Sequence, residues 1–304
     1  LYSRFFMRAI DYKNENFQIK EPFQSLFTQG MVCHETYKDE DNNWLSPDEV
    51  EKVNGKIVKK IDENKIVKVG PSESMSKSKK NVIDPEFIIK NYGADAVRLF
   101  ILSDSPPEKD VQWSDTGISA SYKFLQKLWI LHKKIILNEK KYSKFDENLE
   151  KFTNQIIYKI NNDLDRFGFN VVIASIHKIY SFYNQQINKE DWGNNFEKNY
   201  VNILKVLNPI VPHFSSECLE QLKQPLQDIL WPQIDQKFLE KEKFNVVAQI
   251  NGKKRKVFLI GKTINKETLI KNIQQDEQIK KYLENKELIK TIYIENKLIN
   301  FIIK

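Results

Sequence analysis

Ser74-Met75-Ser76-Lys77-Ser78-Lys79-Lys80-Asn81, followed after Val82-Ile83 by Asp84-Pro85, decides how the rest of the chain is read. Small hydroxyl residues let the backbone approach an anion closely and donate N–H and O–H bonds, and interleaved ammonium groups neutralise charge on a transferring or departing phosphate. Such a string suits a nucleoside triphosphate. The stretch 71–81 lacks apolar periodicity and reads as a loop, while Asp84 and Pro85 supply an N-cap and a first-turn proline for a helix that stops at Gly93. Asp95 is placed to cap the next helix, 96–102.

Upstream, Tyr2, Phe5, Phe6, Ala9 and Ile10 mark a short helix, and Gly30-Met31-Val32 leads into a buried strand. Between 37 and 72, Asn54-Gly55 and Glu63-Asn64 punctuate Ile- and Val-rich runs at 56–61 and 65–69, which predicts a small inserted β-meander. Downstream of Asp115 the pattern turns helical. Ile118, Tyr122, Leu125, Trp129, His132 and Ile136 recur at steps of three and four, as do Leu149, Phe152, Ile156 and Ile160, and a third helix follows Asn170 with Val171, Ile173, Ile176, Ile179 and Tyr183. Helices at 200–207 and around Phe214, Cys218 and Leu222 complete an antiparallel bundle. His132 lies in a core stripe and reads as a packed imidazole, and His34, His177 and His213 lack partners at metal spacing.

The tail alternates through Phe244, Val246 and Ile250, turns at Asn251-Gly252 and returns over 257–260. Asn265 caps a helix with Ile264 and Leu269 at hydrophobic-staple positions, and strands at 289–294 and 298–303 flank a turn at Glu295-Asn296, giving ββαββ.

Composition sets the outer bounds. The chain has 304 residues, 40% hydrophobic and 29% charged, enough for two or three packed domains. Mean hydropathy is −0.55 and no apolar run reaches the length of a membrane span, so membrane embedding is excluded. Two cysteines, Cys33 and Cys218, frame neither a disulfide scaffold nor a four-cysteine zinc site, which favours the cytoplasm. A start at Leu1, without initiator Met or signal peptide, gives the expectation of a piece of a longer polypeptide. The formal net charge of +7 is unevenly placed: residues 241–304 hold 15 Lys/Arg against 7 Asp/Glu. A basic module on a neutral body suggests a polyanionic partner, although a Lys-, Ile- and Asn-rich composition with only five Arg is open to a base-composition origin.

Met75-Ser76-Lys77-Ser78 resembles the K-M-S-K-S signature of class I aminoacyl-tRNA synthetases, and Asn81 with Ile83-Asp84-Pro85 fits the residues that usually come just after that signature. Gly93-Ala94-Asp95 through Arg98 resembles the family's G-A-D-x-x-R segment. Trp113, Phe124 to Trp129, Phe169-Asn170, Pro209 to Glu217 and Trp231-Pro232 fit elements of its anticodon-binding bundle. Within the class, Gly30-Met31-Val32, an insertion with Trp44-Leu45-Ser46-Pro47 and a short tail with Asn251-Gly252-Lys253 are most similar to the C-terminal part of bacterial-type leucyl enzymes.

The resemblance implies a multidomain α/β plus α fold. Residues 1–82 would be the C-terminal half of a Rossmann-type catalytic domain (insert 37–72, signature loop 71–81), 83–114 connecting helices, 115–240 the helical bundle and 241–304 a basic tRNA-binding ββαββ domain. It further implies activation of leucine with ATP and Mg2+, transfer to tRNA, and a cytoplasmic monomer with no metal site of its own. Ser74, Met75, Ser76, Lys77 and Ser78 would form the ATP loop, with Lys77 stabilising charge as pyrophosphate departs. Lys253, Lys254, Arg255 and Lys256 are the tRNA-contact candidates. Two departures from the family pattern stand out: Ser74 replaces the first signature lysine, leaving Lys79 or Lys80 to supply its charge, and H-x-G-H, the family's other ATP signature, is absent from the chain. The chain alone is therefore expected to be inactive. The rival readings are a non-catalytic tRNA-binding or assembly module, and a class I enzyme for valine, isoleucine or methionine.

Overall fold

The computed structural model describes residues 1–14, 19, 21–138, 142–225, 229–239, 243–261, 264–284, 286–295 and 297–304. They fall into two units, Leu1–Ile234 and Asp235–Lys304. The division follows Ile234 rather than residue 240, because the Asp235 side chain accepts from Lys237 N and so caps a 3-10 turn, Gln236–Phe238, that belongs to the second unit. Residues 240–242, where the sequence places the boundary, lie outside the described residues.

The first unit opens with helix α1 (Tyr2–Asp11), whose residues are all exposed or half-buried. Strand β1 (Val32–Lys38) organises a small sheet. β2 (Trp44–Leu45) and β6 (Lys68–Ser74) pair with β1 antiparallel, and β7 (Val111–Gln112) pairs with it parallel through Val32↔Val111 and Cys33↔Gln112. Among the described residues this is the single parallel pairing in that sheet, so the expected Rossmann-type remnant is a largely antiparallel sheet here. Chain length between strands explains it: a five-residue turn can only fold β2 back on β1, whereas the long connection from Lys38 to Val111 leaves room for β7 to return parallel to β1. β3 (Val50–Val53), β4 (Lys56–Lys59) and β5 (Asp62–Ile66) form the expected meander, narrower than 37–72 because both ends of that stretch join β1 and β6.

Strand β6 runs on to Ser74, where the sequence predicts a loop from residue 71. Pro71 has no N–H to donate, but it sits where the β1–β6 register shifts, and its carbonyl accepts from Thr36 Oγ1 at 3.3 Å. Gly30 is fixed by contact rather than by backbone angle: its N–H donates to Pro107 O, and a Cβ there would lie 2.1 Å from Lys109 O.

Helix α2 (Pro85–Tyr92) starts as read, with Asp84 accepting from Glu86 N. Helix α3 (Ala94–Ser103) follows Gly93, and Asp95 lies inside its first turn instead of capping it. The bundle comprises α4 (Asp115–Ile136), α5 (Glu147–Asp165), α6 (Phe169–Gln186), α7 (Phe196–Leu207) and α8 (Pro212–Gln221). A two-stranded ribbon, β8 (Tyr142–Ser143) with β9 (Trp192–Gly193), ties the α4–α5 and α6–α7 connections.

The predicted face of α4 is rotated in the structure. Ile118, Phe124, Leu128, Leu131, His132 and Ile135 are buried, Leu125 and Trp129 are half-buried, and Tyr122 is exposed. The cause is two sets of partners, since Ile118 packs with Ala96 and Phe100 while the later turns face the bundle core. On α6, Val171 is likewise exposed, whereas Ile173, Ile176, Ile179 and Tyr183 are buried. Phe152 stacks on Phe182 with ring centroids 3.7 Å apart. His132 Nδ1 lies 3.1 Å from Tyr200 Oη, and burial pushes the imidazole toward its neutral form, as a packed histidine requires.

The second unit contains β10 (Lys243–Ile250), β11 (Lys253–Gly261), α9 (Lys266–Gln275), α10 (Glu277–Leu283), β12 (Leu288–Ile294) and β13 (Leu298–Ile303), in sheet order β11-β10-β13-β12. Its described residues form one helix more than ββαββ, because Asp276 accepts from Gln278 N and Ile279 N and restarts the chain as α10. Leu269, Ile273 and Ile279 pack on Val246, Ala248, Ile250, Ile260, Ile299 and Phe301. Asn251 and Gly252 have φ of 48° and 79°, the positive pair that a tight two-residue hairpin demands. Asn265 caps α9 by accepting from Thr268 N. The predicted turn at Glu295-Asn296 falls partly outside the described residues, at Asn296.

Candidate functional site

The signature segment begins where the β1–β6 ladder ends. Met75 N donates to Val32 O at 3.1 Å, Ser74 is the exposed last residue of β6 opposite Cys33, and Lys77–Lys79 then form one 3-10 turn. The turn closes on itself. Lys80 N donates to Lys77 O, Lys80 takes the left-handed conformation at φ 53°, and Ser76 N donates to Asn81 Oδ1 at 2.8 Å.

Charge around the turn is unequally engaged. Lys79 Nζ pairs with Glu73 on β6, and Lys80 Nζ lies 3.9 Å from Glu49. Glu49 is held ionised: the backbone N–H of Ser46, then its hydroxyl, lower the carboxyl below its usual range in a capping box at the head of the meander. Lys77 is exposed, and none of the ion pairs found among the described residues includes it. Met75 and Ser76 are half-buried, Ser78 is exposed, and the Ser76 and Ser78 hydroxyls lie 3.3 Å apart. Ser74, Met75, Ser76, Lys77 and Ser78 are thus brought together, with the Lys77 ammonium outside those ion pairs. Lys79 and Lys80, the lysines left to supply the charge missing at Ser74, already face carboxylates.

The basic cluster of the tail is split by its own strand. The β10–β11 register shifts between Ala248 and Gln249, so Lys254 faces Gln249 and Lys256 faces Ala248 with Arg255 bulged between them. Lys253 and Lys254 are exposed. The Arg255 guanidinium lies over the Tyr282 ring at 4.1 Å, and Lys256 Nζ pairs with Asp276 at 2.5 Å. Strand alternation alone predicts half the cluster turned away. The bulge decides which half.

Among the described residues no group of three or more His, Cys, Asp or Glu gathers as a metal site, and no helix is long and apolar enough to cross a membrane. A cleft of about 480 Å³ lined by Leu99, Phe100, Phe124 and His177 includes none of the expected site residues. Two features are not visible in the sequence reading: the carboxylates facing the signature turn, and the centrality of Asn81. Ser46-x-x-Glu49 carries a capping-box pattern that marks Glu49, whereas Glu73 carries no local signal.

Residues 56–114 match the family described as tRNA synthetases class I (I, L, M and V), and residues 146–271 match the anticodon-binding domain of tRNA ligase. Leucine–tRNA ligases of Orientia tsutsugamushi and Rickettsia bellii are 39% and 37% identical over 100% and 99% of this chain, which spans 36% of the length of each. The Agrobacterium radiobacter K84 LeuRS in a ternary complex with tRNA and LeuAMS shares the fold over the whole chain at a TM-score of 0.71 and 21% identity, 35% of that protein being covered. The mixed α/β architecture is thus that of a LeuRS. The chain belongs to the class I tRNA synthetases and corresponds to the C-terminal part of leucine–tRNA ligases.

Proposed function

We propose that this chain works as part of a leucine–tRNA ligase that activates leucine with ATP, taken with Mg2+ as the substrate complex, and transfers it from leucyl-adenylate to the terminal ribose of tRNA. The observation that carries this reading is an exposed Lys77 on a closed turn, outside every ion pair found among the described residues, in a chain 36–39% identical along its length to leucine–tRNA ligases. When the leucine carboxylate attacks the α-phosphate, negative charge builds on the phosphoryl oxygens and on the departing pyrophosphate. An exposed ammonium without such a counter-ion stabilises that charge without first leaving a carboxylate, whereas Lys79 and Lys80 each have one beside them. Met75, Ser76 and Ser78 shape the turn, and the two serines offer hydroxyl donors.

In this reading the bundle and the basic second unit hold tRNA, and the enzyme acts in the cytoplasm as a monomer. The chain of 304 residues carries no H-x-G-H. On its own it is expected not to support leucine-dependent ATP–pyrophosphate exchange. The deciding experiment is that exchange in the complete ligase with leucine, valine, isoleucine and methionine. Preference for leucine, lost with Lys77→Ala, supports the reading, and an unchanged rate in Lys77→Ala removes Lys77 from the mechanism.

A further inference from the structure

Asn81 is 0% exposed, in a segment whose neighbours Lys80 and Val82 are both exposed. A buried primary amide is costly unless its hydrogen-bonding capacity is used, and here it is used on both sides. Oδ1 accepts from Ser76 N at 2.8 Å, while Nδ2 donates to His34 O and Glu73 O, both at 3.2 Å, with Ser74 O at 3.5 Å. One N–H faces the oxygen and three carbonyls face the nitrogen, so a single amide orientation satisfies the site. His34 and Glu73 are themselves partners in the β1–β6 ladder. One side chain therefore joins the last rungs of the sheet to both ends of the signature turn, and Lys77 lies one residue beyond the pinned Ser76 amide.

On the reading that Lys77 stabilises the activation transition state, we propose that Asn81 is a positioning residue for that reaction: its buried amide clamps the 76–81 turn to the β1–β6 ladder and so sets where the Lys77 ammonium stands. The ion pairs at the turn do not do this work. Lys79–Glu73 and Lys80–Glu49 join partly exposed groups of the kind that water and salt loosen, whereas the Asn81 bonds are shielded. Asn81 touches neither nucleotide nor leucine in this proposal. Its contribution is carried by geometry, and misplacing a reacting contact by about 1 Å costs on the order of a hundredfold in rate.

The test is a double-mutant cycle in the complete ligase, reading leucine-dependent ATP–pyrophosphate exchange for Asn81→Ala, Lys77→Ala and the pair, with tRNA affinity and thermal midpoint as controls for folding. Asn81→Ala is expected to lower kcat by about tenfold to a hundredfold while leaving the KM for leucine within about twofold. The pair should be no slower than Lys77→Ala alone, because a misplaced turn has nothing further to lose once the ammonium is gone. Asn81→Asp, nearly isosteric, keeps the acceptor for Ser76 N but presents oxygen to the carbonyls, and should lose kcat in the same way if Asn81→Ala does not fold. A kcat within about twofold of the parent in a folded Asn81 variant, or losses that multiply in the pair, would overturn the proposal while leaving Lys77 in its role. An unimpaired Lys77→Ala would instead overturn the underlying reading, and the positioning role with it.

Discussion

Phe214 N donates to Asp95 Oδ2 across 2.7 Å, joining residues 119 apart in sequence. Asp95 lies in the first turn of α3 and Phe214 in the first turn of α8, and Asp95 Oδ1 also accepts from His213 N at 3.4 Å. One helix thus supplies the carboxylate that satisfies the orphan N–H groups of another, a position where negative charge is favoured. Arg98, one turn further along α3, donates from Nε to Ile210 O and from Nη2 to Pro209 O. The two side chains hold the proline-broken approach to α8 from its carbonyl end and its amide end.

Asp95→Ala should therefore lower the stability of the first unit by about 1–2 kcal/mol, the range for a lost helix cap. Asp95→Asn, which keeps an acceptor but not the charge, should cost less. Urea unfolding of the parent and the two variants checks the order, and equal midpoints for parent and Asp95→Ala would deny the cap any role.

How much of this is legible in the sequence depends on the range of the interaction. Asp84-Pro85, Asn251-Gly252 and Asn265 act on N–H groups or torsions within three residues, and each does in the structure what its local pattern predicts. Asp95 carries the same kind of pattern and reads as a local cap, yet its partner is α8. Local rules assign a capping residue to the nearest helix and cannot weigh a competitor brought near by packing. The face of α4 fails similarly: a stripe at helical spacing assumes one partner, and two sets of partners bury different sides of the helix. At the signature turn, sequence supplies Lys77 and its neighbours, whereas which lysines are engaged depends on Glu73 and Glu49 from flanking elements.

The meander carries an acid-sensitive clasp. The Asp39 carboxyl, held first by Asn43 N–H and then by the Lys59 ammonium at 3.1 Å, is lowered from 3.8 to about 2. A depressed folded-state value means the clasp contributes fully above the unfolded value, and the contribution is lost as pH falls from about 4 toward about 2. Asp39→Asn should thus be less stable than the parent at pH 6, and the difference in thermal midpoint should shrink toward pH 2. A gap of constant size across that window would deny the ionised Asp39 carboxylate any part in the difference.

The lysines of the signature turn should not be equivalent. In the complete ligase, Lys77→Ala is expected to slow leucine activation by on the order of a hundredfold or more, as loss of one transition-state charge contact does, with little change in tRNA affinity. Lys79→Ala should cost less, because its ammonium already faces Glu73. Exchange rates measured side by side check the ranking. A larger loss at Lys79 would mean that the Glu73 pair breaks when nucleotide binds and that Lys79 replaces the lysine missing at Ser74.

The tail gives the prediction in which fold and charge meet. If the basic second unit docks on the tRNA backbone, each phosphate contact releases condensed counter-ions, and affinity falls with salt in proportion to the number of contacts. Lys253 and Lys254 are exposed beside the hairpin turn, whereas Arg255 is laid on Tyr282 and Lys256 is paired with Asp276. Replacing Lys253 and Lys254 together by Ser should weaken tRNA binding and reduce the magnitude of the log–log salt slope by about one to two, with the fold intact. Lys256→Ser breaks an internal ion pair, so its main effect should be on the thermal stability of the second unit, with a smaller change in slope. Titrating tRNA against parent and variants at several salt concentrations separates these effects. Superimposable slopes for the parent and the Lys253/Lys254 double variant would leave the lysines as a compositional bias without a docking role, while a slope change confined to Lys256→Ser would mean that its Asp276 pair opens to meet RNA.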